Sequence, residues 1–132
     1  MKTITVPIAP GELLDKLTIL QLKLDNIADP AKTKNVAVEL DALQKVADET
    51  LPKSGALDAL VAQLRQINSD LWEIEDNIRE MEAAKDFGAG FIALARSVYI
   101  TNDERAAVKK QINLLLGSDL VEEKSYKGGT AA

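Results

Sequence analysis

The chain of 132 residues is 46% hydrophobic and 28% charged, with 16 basic against 21 acidic side chains for a net charge of −5. Such a chain hides roughly two thirds of its unfolded surface on folding and lies far from the polar, highly charged regime of disorder, so one domain over 1–132 is expected. Cysteine and histidine are both absent, which removes disulfides, thiolate zinc sites, thiol nucleophiles and the usual neutral-pH base, and an acidic balance argues against a nucleic-acid partner.

From the start of the chain, Ile4, Val6 and Ile8 alternate with Thr5 and Pro7; the proline limits this stretch to an extended lead-in over 1–9. It lacks a signal peptide's apolar run and cleavage site, and no segment approaches the roughly 18 apolar residues of a membrane span. A cytoplasmic protein without a membrane span is the expectation. Pro10 suits a first helical turn, with Glu12 and Asp15 near the positive end of the helix dipole, and the first helix is predicted over 10–28. Its Leu13, Leu17, Leu20, Leu24 and Ile27 form a shallow packing seam. Leu14, Ile19 and Leu22 lie off that seam, so this helix needs more than one neighbour, within the fold or in a homodimer.

Asp29 before Pro30 is a start signal for a second helix over 30–50, with Val36, Leu40, Leu43 and Ala47 inward. Pro52 ends it, and Ser54 caps a third, whose Leu57, Leu60, Leu64, Ile67, Leu71, Ile74, Ile78 and Met81 alternate steps of 3 and 4. Short turns make these three long helices an antiparallel bundle. Gly88 and Gly90 are read as freeing the backbone for a reversal. Two shorter helices then fold over one end: one over 89–100 with Phe91, Leu94 and Val98 inward, and one capped by Asn102 and stopped by Gly117. Val121–Tyr126 is expected to dock on the body, and 127–132 to fray.

A second row on the third helix, Asn68, Trp72, Glu75, Arg79 and Glu82, flanks its apolar seam. The single tryptophan lies in it, and tryptophan is seldom left wholly in water. The acid-rich stretch from Asp70 to Asp86 faces a late segment carrying Arg96, Arg105, Lys109 and Lys110, so opposite charges predict that the late helices cover this row. Glu75 and Glu82 then need Arg79, Arg96 or Arg105 as partners. Two readings follow. In the structural one, favoured on residues alone, these charges form a network that fixes how the late helices dock. In the functional one, Arg96, Tyr99, Arg105 and Lys109 grip a phosphate or carboxylate, while Trp72, Glu75, Arg79 and Glu82 act as acid, base or orienter. Glu73, Asp76 and Glu80 are one turn apart, but glutamate-rich solvent faces are common, so no metal is expected. No phosphate-cradling glycine loop is present, and no cofactor is implied.

Pro10–Leu20, Leu71–Arg79, Phe91–Tyr99, Asn102–Ala106 and Glu122–Tyr126 together resemble a family of small bacterial proteins of unknown function, sometimes encoded near lipopolysaccharide or surface-polysaccharide genes. The resemblance covers nearly the whole chain and implies no chemistry. Leu64–Asp70 is similar to the leading helix of helical chorismate mutases, departing at Asn68, where an acid would stand. The functional expectation is an interaction or regulatory module of an envelope-polysaccharide pathway, with a protein partner or a second copy. The alternative is a small enzyme or binder for an anionic metabolite such as a nucleotide-sugar, phosphosugar or dicarboxylate.

Overall fold

In the computed structural model, which describes residues 1–127, local capping chemistry sets the start of two helices. Asp29 accepts a hydrogen bond from the Ala31 N–H at 2.9 Å, and Ser54 accepts one from the Leu57 N–H at 3.1 Å. Both satisfy amide donors that a first helical turn leaves without partners. The helices are α1 (Pro10–Asn26), α2 (Pro30–Thr50), α3 (Gly55–Ala83) and α4 (Ala89–Leu115). Residues 1–9 have no regular secondary structure. Of the tail expected to fray over 127–132, all but Lys127 lies outside the described residues.

The last third corrects the sequence reading. The two shorter helices expected there are one continuous α4 of 27 residues, so the all-α fold has four substantial helices instead of three long and two short ones. Asn102 caps nothing and sits mid-helix, partly buried. The physical reason lies in the inward row Phe91, Ala95, Val98, Asn102, Arg105, Lys109 and Ile112, which keeps steps of 3 and 4 throughout. Its consecutive members Asn102, Arg105 and Lys109 are polar, and a polar stretch in an inward row imitates the loss of the seam. Asparagine followed by Asp103 and Glu104 then imitates a helix start.

The reversal before α4 differs too. Its left-handed residue is Lys85, at φ 55°, whereas Gly88 is extended and Gly90 is helical. The Asp86 N–H donates to the Met81 carbonyl at 2.9 Å. Gly117, at φ 63°, with the Ser118 N–H donating to the Asn113 carbonyl at 2.9 Å, closes α4 in the same way.

Packing makes α1 the central element, in contact with each of the other three helices. Leu13, Leu14 and Leu17 join Ala47 of α2, Leu57 and Leu64 of α3, and Val108 and Ile112 of α4 in one core. The apolar surplus of α1 is thus covered within the chain. α3 and α4 form a hairpin in which Gly90 lies beside Met81. α1 runs antiparallel to α4: Gly11 meets Asn113, Glu12 meets Lys109, and Asp15 meets Arg105.

At that crossing the backbones approach closely. A Cβ on Gly11 would stand 2.5 Å from the Lys109 carbonyl oxygen and 2.9 Å from Asn113 Oδ1, whereas one on Gly55 would meet nothing within 4 Å. Gly11→Ala is therefore expected to destabilise by about 1–3 kcal/mol through overpacking. Gly55→Ala is expected to be neutral or to stabilise by up to about 1 kcal/mol. Urea denaturation of both variants checks the contrast.

Candidate functional site

Three of the helices, α1, α3 and α4, give inward positions to polar side chains. On α1 the buried row is Gly11, Asp15, Thr18 and Leu22, and on α3 Asn68 continues the row of Leu57 and Leu64. Arg105 reaches the same point from α4. The Asp15 carboxylate is only 1% exposed. Arg105 Nε donates to its Oδ1 at 2.9 Å, and Arg105 Nη2 donates to its Oδ2. Asn68 Nδ2 donates both to Asp15 Oδ1 and to Thr18 Oγ1 at 2.9 Å, while the Thr18 hydroxyl donates to the Asp15 carbonyl at 2.8 Å. Among the described residues no buried side-chain polar atom is left unpaired, as a buried polar network requires. The Asp15 hydrogen bond and its charge hold the Arg105 guanidinium above the ordinary arginine value, against the opposing effect of burial.

One turn along α4, Lys109 is buried as well. Its Nζ lies 2.6 Å from Glu12 Oε2 and 3.1 Å from Glu122 Oε2. Burial, the largest single influence, pushes the amine down, but hydrogen bonds to Glu12 and Glu122 and the charges of Glu12 and Asp15 together outweigh it, so Lys109 ends above its ordinary value. Asn113 Oδ1 accepts the Gly11 N–H at 2.8 Å, supplying from α4 the cap that α1 lacks locally.

Beyond α4 the chain returns along the helix as a strap, Leu120–Tyr126. Lys124 pairs with Asp103 at 2.9 Å and lies over the Tyr126 ring at 5.4 Å, and Glu123 stands 3.6 Å from Lys110. The expected docking of this segment is therefore made by ion pairs.

Two clefts flank Arg105 and share it with Asn102. One, of about 460 Å³, has Trp72, Glu75, Asp76 and Arg79 on the α3 side and Ile19 from α1. The other, of about 400 Å³, lies between Asn102, Arg105 and Lys109 of α4 and the strap residues Glu122, Lys124 and Tyr126. Of the five N–H donors of a guanidinium, Arg105 gives two to Asp15; the others have no acceptor among the described residues.

The structure thus brings together Arg105 and Lys109 on one face, and Trp72, Glu75 and Arg79 with Arg105 around one cleft. It leaves Arg96, Tyr99 and Glu82 exposed, and none of them lines either cleft. Glu75 takes Arg79 as its partner at 3.2 Å, on the solvent side, while the acid matched to Arg105 is Asp15 of α1, not one of the α3 acids. Thr18 and Asn113 escaped the sequence reading, and Glu12 and Asp15 entered it only as acids suited to the α1 dipole, not as members of the site. The signal that marks them is a polar residue inside a row of inward spacing, such as Asp15 four after Gly11 and three before Thr18.

Glu73, Asp76 and Glu80 are exposed, and among the described residues no three potential metal ligands converge. No described helix is long and apolar enough to cross a membrane.

A family model described as Family of unknown function (DUF6165) matches residues 4–132. The chain belongs to that family. No curated protein and no solved structure matches it at a significant level. Four of the five sequence blocks that carried the resemblance meet here: Pro10–Leu20 brings Glu12 and Asp15, Leu71–Arg79 brings Trp72, Glu75 and Arg79, Asn102–Ala106 brings Asn102, Asp103 and Arg105, and Glu122–Tyr126 is most of the strap, while Phe91–Tyr99 lines neither cleft.

Removing Arg105 strands a carboxylate with almost no access to water. Arg105→Met alone is expected to cost about 3–5 kcal/mol, and the double change Asp15→Leu with Arg105→Met much less than the sum of the singles. A double-mutant cycle by chemical denaturation measures the coupling.

The stability from Lys109 has a definite pH dependence. A raised folded value means that this contribution is fully present below the ordinary 10.5 and is lost as pH rises through the folded value. The stability difference between the wild type and Lys109→Met is therefore expected to shrink in strongly alkaline solution, as read from urea midpoints from about pH 9 upward.

Proposed function

We propose that this protein binds a small anionic metabolite, of the nucleotide-sugar, phosphosugar or dicarboxylate kind, in the clefts beside Arg105. The observation that carries the reading is the state of that one side chain. Its guanidinium is fixed through two N–H groups by a buried carboxylate, lines both clefts, and keeps further donors that find no acceptor among the described residues. A planar donor fork held in one orientation suits phosphate and carboxylate recognition, because its ordering cost is met on folding instead of on binding. Trp72 adds an aromatic wall, and Glu75, Asp76 and Asn102 add acceptors for hydroxyl groups.

The buried charge network serves both the structural and the functional reading, since the pair that docks α4 also orients Arg105. A bacterial envelope-polysaccharide setting and a cytoplasmic location belong to the same proposal and are supported by the sequence resemblance alone. The interaction-module reading draws on a different observation, the exposed Ile92, Tyr99 and Ile100 on α4.

A thermal-shift screen of the full chain with phosphosugars, nucleotide-sugars and dicarboxylates tests the proposal. A ligand at a hundredfold excess over its Kd stabilises by about 2.7 kcal/mol, enough to raise Tm by several degrees. Arg79→Gln and Trp72→Phe are expected to weaken that response, and Arg96→Gln, outside both clefts, to leave it unchanged. A flat response to the whole panel would sink the reading.

A further inference from the structure

Lys109 faces more acid than its charge requires. Glu12 and Glu122 both reach its single ammonium, and they differ in kind. Glu12 stands on the first turn of α1 at 2.6 Å; Glu122 stands at 3.1 Å, is 55% exposed, and belongs to a segment without regular secondary structure. The strap does not depend on Glu122 for its position. Lys124 and Asp103, each mostly buried, hold it separately at 2.9 Å. Behind Glu122 lies the cleft of about 400 Å³ whose cations are Arg105, Lys109 and Lys124.

We propose that Glu122 is an internal stand-in for a ligand's anionic group, and that Lys109 is a second anion subsite, joined through Arg105 and Asn102 to the cleft beside Trp72. The inference rests on the anion-binding reading of Arg105 and adds to it the class of ligand and its regulation. Replacing Glu122 by a phosphate or carboxylate exchanges one anion for another on an ammonium that is already out of water, so no new burial of charge is needed. Glu12 compensates Lys109 throughout the exchange. Arg105 and Lys109 are four residues apart on one helix face, so the ligand that engages both carries two linked anionic groups. Diphosphates and dicarboxylates share that chemistry. Such a ligand frees Glu122 from Lys109 while Lys124 keeps the strap attached, which couples occupancy of the site to the state of the strap.

Calorimetric titration of the full chain with inorganic pyrophosphate and, separately, succinate tests this and distinguishes the two chemistries. Glu122→Gln is expected to bind the preferred probe about two- to fivefold more tightly than the wild type, the range that a partly exposed ion pair is worth. Glu39→Gln, which changes net charge equally from exposed α2, is expected to have no effect. Amide exchange at Val121–Glu123 in the wild type is expected to quicken when the probe is added. Equal or weaker binding by Glu122→Gln, or unchanged exchange with the probe bound, overturns the stand-in role. If binding persists and still depends on Arg79 and Trp72, the reading of Arg105 survives that result; if no variant binds either probe, both fall.

Discussion

Asp15 is a carboxylate removed from water in the middle of a helical fold, and its neutralisation is the constraint that the rest of the structure satisfies. An isolated buried carboxylate is strongly unfavourable, and its compensation requires both opposite charge and hydrogen bonds. Arg105 provides the charge from α4, Asn68 a hydrogen bond from α3, and Thr18 of α1 accepts a second hydrogen bond from Asn68 and so helps to hold that amide in place. None of these elements can shift by a helical turn without stranding the acid. Apolar packing among leucines is more permissive, so the polar cluster selects one register from the several that the leucine seams allow.

Much of the architecture was legible because it rests on local chemistry. Asp29, Pro30 and Ser54 act through neighbours two or three residues away, and the seam of α3 is regular over most of its length. The joining of the last two expected helices was not legible. Asn102, Arg105 and Lys109 face inward, and their polarity breaks the only signal by which an inward row is recognised. The residues that hid the helix are therefore the residues of the candidate site. Asp15 was concealed differently: on the first turns of α1 an acid has a sufficient local explanation in the helix dipole, and its true partner is 90 residues away. Trp72 and Arg79 belong to the row that the spacing of α3 marks out, and the structure sets Arg105 of α4 beside them, whereas Arg96 and Tyr99 share a helix face that turns to solvent.

The electrostatics of the site are those of a neutralised surface. Arg105, Lys109, Lys110 and Lys124 each have an acidic partner, in keeping with a chain of net charge −5. Long-range attraction of anions is weak under those conditions. Selectivity at such a site comes from donors fixed in direction, an aromatic wall and the ease with which a resident carboxylate is exchanged, so salt should alter it less than it alters a basic patch.

The amide of Gly11 is received by Asn113, 102 residues later. α1 therefore has no finished beginning of its own: its opening turn is completed only when the far end of α4 arrives. During synthesis α1 precedes the other three helices, and its start is secured only once the far end of α4 has followed. Closure over that separation makes formation of the centre a late, collective event instead of a helix-by-helix assembly.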